Sequence, residues 1–415
     1  MPTLRPILGA ALLAALSCGR PATPAAASPP AAAAPAPAAH AAPGQARFSE
    51  GARAFQEAFQ LLRTRYHRDD LSDDELYRAA VQGMLEHADE KLAPWNQLMT
   101  PAELAAMNSD LKGELVGIGV EIKFDDTSGA SDVLYVLPGS PAERAGIVGG
   151  DRILSVNGQR FQGKTLVDMV SALRGREGEV ASLAILHGDR VSTLQVPRGR
   201  VVYEPVTAFT LPGSVGYVHV RSFASRTADD VRGALQRLLA QKARGFILDL
   251  RSNHGGLLEQ AVATADLLLP RGTIVARLTR RGGSEETFTA HGGAVLGNQP
   301  LLVVTNGETA SGAELLAAAL QGGRGAQIVG QKTLGKWSVQ TIETLHNGYA
   351  LKFTSSGFRT AAGKSFEGQG LTPDVEVALD PKQAERLLRV RDPERRLAED
   401  VQLRTAANLL KLLGR

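Results

Sequence analysis

Residues 301–340 read LLVVTNGETASGAELLAAALQGGRGAQIVGQKTLGKWSVQ. Leu301 to Val304 is a short apolar run of the kind that forms a buried strand. Asn306-Gly307 turns the chain. Ala313 to Gln321 is rich in strong helix formers. Ser311, followed by Gly312, therefore stands where a strand gives way to a helix. The first amides of a helix lack intrahelical partners, and its dipole is positive there, so a serine oxygen and a developing oxyanion are both favoured. A second apolar run, Ala326 to Val329, leads into a loop bounded by Gly330 and Gly335, and Lys336 follows. Serine is a weak nucleophile unless a base takes its proton. Lysine can be that base only when burial lowers its pKa. Leu334, Gly335, Trp337 and Val339 give Lys336 apolar or small neighbours with no carboxylate beside it in sequence. A helix-capping serine and a surface lysine would use the same residue types, and residue types alone leave both readings open.

The stretch falls into two blocks. The first is Asn306-Gly307-Glu308-Thr309-Ala310-Ser311-Gly312-Ala313-Glu314-Leu315. The second is Gly330-Gln331-Lys332-Thr333-Leu334-Gly335-Lys336-Trp337-Ser338-Val339-Gln340. Together they resemble the catalytic region of the C-terminal processing peptidases, or tail-specific proteases, which use a Ser/Lys dyad. The resemblance implies Ser311 as nucleophile, Lys336 as general base and Gln340 as the glutamine that orients the lysine. Two positions depart from the family pattern. Gly312 replaces the usual Ala after the nucleophile. Trp337 replaces a Gly after the lysine, which predicts a large ring beside the base and a narrowed cleft.

Composition sets the frame. The 415 residues are 43% hydrophobic and 21% charged, an ordinary globular balance that predicts two or three domains. A net charge of +3 without a basic, aromatic-studded stripe gives no support for nucleic-acid binding. The one cysteine, Cys18, excludes an intramolecular disulfide and a cysteine-based metal site, and the eight histidines show no ligand spacing. No metal and no cofactor is expected.

From the N-terminus, Arg5 precedes an apolar run from Ile7 to Leu16, too short for a mature membrane span, which needs about 20 residues, but suited to a signal peptide. Ala15-Leu16-Ser17-Cys18 resembles a bacterial lipoprotein box, with Ala15 where Leu is usual, and makes Cys18 a lipidation candidate. A plain secretory signal that discards Cys18 is the alternative. The expected order is a signal over 1–18, an Ala/Pro-rich tether over 19–46, a helical region over 47–112, a PDZ domain over 113–198, an α/β serine protease core over 199–379 and a helical segment over 380–415. Phe48, Phe55, Phe59 and Leu62 fall at helical spacing, Leu76 to His87 makes a second helix, and Thr100-Pro101-Ala102-Glu103 is a capping box that starts a third.

Three blocks carry the PDZ resemblance. Val116-Gly117-Ile118-Gly119-Val120 matches the loop whose amides cradle a peptide's terminal carboxylate, where glycine lets successive N–H groups converge on an anion. Gly139 to Gly146 and Gly150 to Gly158 are the other two, in the right order. Arg174 is open to facing the active site or to being a solvated turn residue. In the core, Val215 to Val220, Thr227 to Ala240, Gly245 to Leu250 and a helix ending near Leu269 alternate as strand and helix, which argues an α/β sheet. Asp249-Leu250-Arg251-Ser252-Asn253-His254-Gly255-Gly256 resembles the family's glycine loop, which supplies an oxyanion-hole amide. Gly256 and Gly312 are the candidates here. His254 stands at the family's proline and is read as a loop residue. Gly368 to Val375 resembles the family's last block. The C-terminal segment, with Leu387, Leu388, Leu409, Leu410, Leu412 and Leu413, either packs on the core or carries a subunit contact.

The resemblance covers roughly residues 48 to 380. It implies a serine endopeptidase of the bacterial periplasm or cell envelope with protein or peptide substrates whose C-termini are accessible, and the Cys18 box adds a lipid anchor to a membrane. It leaves a homodimer or higher oligomer and an adaptor protein open. The alternative reading is an inactive, mainly binding protein that keeps the protease fold.

Overall fold

The apolar runs of the core become neighbouring strands of one six-stranded sheet. Its order is Val375–Glu376, Gln327–Gly330, Leu301–Thr305, Gly245–Asp249, Val215–Val220 and Val206–Leu211. The first five run parallel, and Val206–Leu211 closes the edge antiparallel. Leu301–Thr305 and Gly245–Asp249 are buried at every position, as a parallel sheet covered on both faces requires. Helices Thr227–Ala240, Leu258–Asp266 and Gly312–Arg324 cover one face. The other face is covered by Val401–Leu413, whose Leu403, Ala406, Ala407 and Leu410 pack on Tyr217, Ile247, Leu302 and Val304. The C-terminal segment thus packs on the core.

This description comes from a computed structural model that covers residues 45–413 except 69, 165, 203, 388, 389 and 391. Cys18, the signal stretch, most of the expected tether and Leu388 lie outside the described residues. The chain divides into two units, Met1–Asp73 and Asp74–Arg415. The first contains the helix Gln45–Arg65, which begins inside the stretch read as tether. Phe55 and Phe59 stack along it, with Phe55 and Leu62 exposed.

In the second unit, the capping box expected at Thr100 forms: Glu103 N–H donates to Thr100 Oγ1 (3.2 Å) and Thr100 N–H to Glu103 Oε2 (2.7 Å), and the helix is Pro101–Lys112. The region over 47–112 is not wholly helical, however. Gln97–Met99 is a strand and pairs antiparallel with Ala350–Lys352. It joins a second, five-stranded sheet with Ile274–Arg280, Glu285–Thr289, Ser338–Thr344 and Ala350–Arg359. Partner strands far along the chain override the local helical pattern.

A third sheet holds Val120–Asp125, Ala130–Val136, Arg152–Val156, Val180–His187 and Arg190–Pro197, in that order and all antiparallel. The helix Leu166–Leu173 packs on it through Met169 and Leu173, against Ile118, Ile153 and Leu183. Glu114–Gly117 pairs with Gly199–Val202 where the chain enters and leaves this module. Arg174 pairs with Asp110 on the helix Pro101–Lys112 (3.0 Å).

One buried polar network ties the C-terminal helix to the main sheet. Asp249 ends its strand and accepts from Tyr217 Oη (2.6 Å) and Arg251 Nε. Arg251 also reaches Asp400 (2.8 Å) and Gln402 (3.0 Å) at the start of Val401–Leu413. Burial disfavours the Asp249 carboxylate, but Arg251, His219 and Tyr217 outweigh it and hold its pKa well below the usual range.

Candidate active site

Ser311 lies just beyond the C-terminal end of the strand Leu301–Thr305, at the first turn of Gly312–Arg324. Its backbone has φ 57° and ψ −122°, a conformation that L-residues seldom adopt. Strain of this kind persists only where surrounding contacts enforce it, and a sharp strand-to-helix turn is one way to push a serine out of the backbone surface. The neighbouring loop enforces it here. A Cβ on Gly255 would stand 2.8 Å from Ser311 Cβ and 3.2 Å from Gly312 N, so only glycine fits. Asn253 laces the two loops together: its carbonyl accepts from Ala310 N–H (2.9 Å), its Nδ2 donates to Val220 O (2.9 Å) and its Oδ1 accepts from Gly255 N–H (2.8 Å).

Within the glycine pair, then, the Gly255 N–H is already used. Among the described residues no acceptor meets the N–H of Gly256 or of Gly312, the two donors named as oxyanion candidates. Gly256 has φ 138°, and a Cβ there would meet Phe223 O at 2.4 Å. His254 is exposed, and no hydrogen bond among the described residues links it to Ser311.

The Lys336 loop is tied to the Ser311 turn by a residue to which the sequence reading gave no role. Glu314, fully buried on the first turn of the helix, accepts from Ser311 N–H (3.0 Å), Gly335 N–H (2.8 Å), Lys336 N–H (2.8 Å) and the Thr333 hydroxyl. One carboxylate therefore fixes the backbones of both Ser311 and Lys336. A signal was present, since a buried-pattern helix rarely carries a charge without partners, but the partners lie on another loop. The segment 368–371 locks that loop from outside: Gly368 N–H donates to Gly335 O (2.8 Å), and a Cβ on Gly335 would meet Gly370 N at 2.6 Å.

Lys336 is half-buried. Burial, and then the charge of Lys352, push its pKa down to about 8, against the pull of Glu367 and Glu314. Its ammonium lies over the ring of Trp95. Among the described residues no hydrogen bond joins it to Ser311 or Gln340. The Gln340 amide donates to Ser338 Oγ (3.2 Å) and Thr354 Oγ1 (3.3 Å). A register shift between Val339 and Gln340 interrupts the pairing there and re-aims the side chains.

Trp337 departs from the expectation that its ring narrows the cleft. It is 2% exposed, belongs to the main core and packs on Phe366 at 5.0 Å. The chain enters the strand Ser338–Thr344 here, and alternate residues face opposite sides, so Trp337 turns inward when Lys336 turns to the site.

The stretch Val116 to Val120, read as a loop, is irregular only at Ile118 and Gly119: Val116 and Gly117 end one strand and Val120 begins the next. The carbonyls of Ile118 and Gly119 are engaged by Ala142 N–H (2.8 Å) and Leu137 N–H (3.0 Å), while among the described residues no acceptor meets their own N–H groups. Gly119 has φ +82°, and a Cβ there would lie 2.3 Å from Ser140 Cβ. Val120–Asp125 is the edge strand of its sheet. Donors free to take a carboxylate beside an open strand edge are the arrangement that receives a peptide by strand addition.

The chain is similar to known proteins over most of its length. The family model of the PDZ domain matches residues 133–186, and that of Peptidase family S41 matches residues 214–377. A carboxy-terminal-processing protease of Bartonella bacilliformis is 32% identical over 330 residues, 78% of this chain and 74% of the relative. A carboxyl-terminal-processing protease of Synechocystis is 35% identical over 323 residues, 76% of this chain and 74% of the relative. The solved structure of the photosystem II D1 C-terminal processing protease has a TM-score of 0.53 and 28% identity, covering 85% of this chain and 99% of its own. Fold and site define a serine-type peptidase that carries a PDZ domain and acts on peptides or proteins. The chain belongs to peptidase family S41, among the carboxy-terminal processing proteases.

Proposed function

We propose that this protein is an endopeptidase that works through a Ser311/Lys336 dyad and engages protein C-termini at the loop Val116–Gly117–Ile118–Gly119–Val120. The observation that carries the reading is the Glu314 clamp, which joins a strained serine at a helix start to a lysine with a lowered pKa. Lys336 as the free amine takes the proton of Ser311 as its oxygen attacks the scissile carbonyl. The amides of Gly312 and Gly256 receive the negative charge on the carbonyl oxygen. When the C–N bond breaks, the Lys336 ammonium gives its proton to the leaving amine. Water then attacks the acyl-serine, again losing a proton to Lys336, and the acid and free serine are restored. No cofactor enters. Gln340 would order the lysine through Ser338 and Thr354, whose hydroxyls it already holds.

The cell-envelope address rests on Arg5, the apolar run to Leu16 and the Cys18 box, and the lipid anchor on Cys18 alone. Homo-oligomerisation and an adaptor remain readings of the family resemblance. The test is digestion of casein by the wild type, Ser311→Ala and Lys336→Ala. Both variants are expected to be inactive while folded. The double variant should be no worse than either single one, because the two residues act as a unit. Near-wild-type hydrolysis by either would remove the dyad. Ser311→Ala then serves as a trap for natural substrates.

A further inference from the structure

Among the described residues, the aromatic ring that meets the Lys336 ammonium comes from a distant part of the chain. Nζ lies 4.4 Å from the ring centroid of Trp95, which closes the single 3-10 turn Ala93–Trp95. That turn is fixed from its C-terminal side. Asn96 Oδ1 accepts from Thr354 N–H (2.8 Å) and Thr354 Oγ1 (3.1 Å), and Gln97–Met99 pairs with Ala350–Lys352. The indole is thus held beside the strand that carries Lys352.

The face of an indole attracts a cation and has little to offer a neutral amine. The contact therefore favours the ammonium and opposes the form that a general base needs. The charged groups that face Lys336 are Lys352 on the strand Ala350–Arg359, Glu314 on the nucleophile helix and Glu367 on the loop after that strand. Burial and Lys352 favour the amine; the two carboxylates favour the ammonium. Yet among the described residues no hydrogen bond or ion pair holds Nζ, so the ring is what locates it.

We propose that Trp95 is a positioning residue for the base: its ring parks the Lys336 ammonium away from Ser311 in the resting enzyme, and loss of the proton to solvent frees the amine to turn to the serine. This rests on the assignment of Lys336 as the general base. It gives the segment 93–99 a task beyond packing, that of setting the pH at which the dyad assembles.

The test is a Trp95→Phe and Trp95→Leu series. Attraction for a cation falls from indole to phenyl and is absent in leucine. The apparent pKa on the acid limb of kcat/KM should fall in that order, by roughly half a unit to one and a half units at leucine. At a pH well below the ionisation, the leucine variant should then be about 3- to 30-fold faster than its own value scaled from the wild-type profile. If the ring acts instead by shielding Lys336 from water, its removal resolvates the ammonium and the pKa rises. A rise or an unmoved pKa overturns the proposal. A second readout needs no turnover: the 13C-lysine NMR titration of Lys336 in Ser311→Ala, with and without each Trp95 substitution, should give the same ordered downward shift, with Trp95→Phe reporting even if Trp95→Leu does not fold. Lys336→Ala separates the two levels. An active Lys336→Ala removes the base assignment itself. An inactive one beside an unshifted Trp95 series removes only the role of the ring.

Discussion

Replacing Glu314 by glutamine is the sharpest probe of how this site is held. The carboxylate receives donors only: Thr333 hydroxyl and Gly335 N–H at Oε1, Ser311 N–H and Lys336 N–H at Oε2. Glutamine has the same shape but one oxygen, so its NH2 must face two of these donors. With the NH2 at the Oε1 side, the Thr333 hydroxyl can reverse and accept, and Gly335 N–H is orphaned. With it at the Oε2 side, two backbone N–H groups are orphaned. Each buried orphan costs about 1–3 kcal/mol, and the surviving bonds lose their charge assistance. The expected loss is about 2–4 kcal/mol of stability in Glu314→Gln, and more in Glu314→Ala. In Glu314→Gln the remaining oxygen still holds Ser311 N–H and Lys336 N–H, without its charge, whereas in Glu314→Ala the two backbones are no longer tied together, so kcat should fall about 10- to 100-fold in the alanine variant, the order that displacement of around 1 Å produces, and less in the glutamine variant. The assays are urea unfolding and peptide hydrolysis at about pH 9, where a base of lowered pKa is deprotonated in both proteins. Working there matters because Glu314 also raises the Lys336 pKa, and its removal alone would shift the acid limb downward. An unfolding free energy of Glu314→Ala within about 0.5 kcal/mol of wild type, with kcat within about two-fold, would refute the clamp.

Three further outcomes follow from the charges. Activity should rise with pH through one ionisation near the lowered value of about 8 for Lys336. Because that folded pKa lies below the unfolded one, the ammonium costs stability in full below the folded pKa, and the cost disappears as pH rises through the unfolded value of 10.5. Lys336→Met should therefore raise the melting temperature most at neutral and acid pH, and a lower melting temperature there would mean that the ammonium is well paired. Arg251→Met should cost about 3–5 kcal/mol, since it strands the buried carboxylates of Asp249 and Asp400; an unfolding midpoint close to wild type would contradict the network.

What could be read from the sequence was what lies close together along it. The core strands, the turn at Asn306-Gly307 and the helix after Ser311 are local patterns, and Ser311, Lys336 and Gln340 share one uninterrupted stretch. The capping box at Thr100 is local as well, and it forms as read. What escaped depends on partners distant in sequence. Gln97–Met99 is three residues long and becomes a strand only because Ala350–Lys352 lies beside it. Trp95 reaches Lys336 for the same reason. Glu314 was visible as a residue type, but nothing local says that its acceptors face four donors on two loops. Trp337 was misjudged because adjacency in sequence was taken for adjacency in the cleft, whereas the pleat of the following strand sends neighbours to opposite sides.

The Arg251 network has a consequence for when the enzyme comes into being. The residue that anchors the root of the glycine loop finds its partner Asp400 149 positions further along the chain. During synthesis the nucleophile turn, the lysine loop and the whole PDZ module emerge before that partner exists. Until then Arg251 and Asp249 face a sheet whose second face is bare, because Leu403, Ala406, Ala407 and Leu410 have yet to cover it. A nascent chain therefore carries Ser311, Glu314 and Lys336 on a sheet with one face uncovered. The helix Val401–Leu413 works as a keystone for the sheet, and the second face is closed only after that helix has been made and packed.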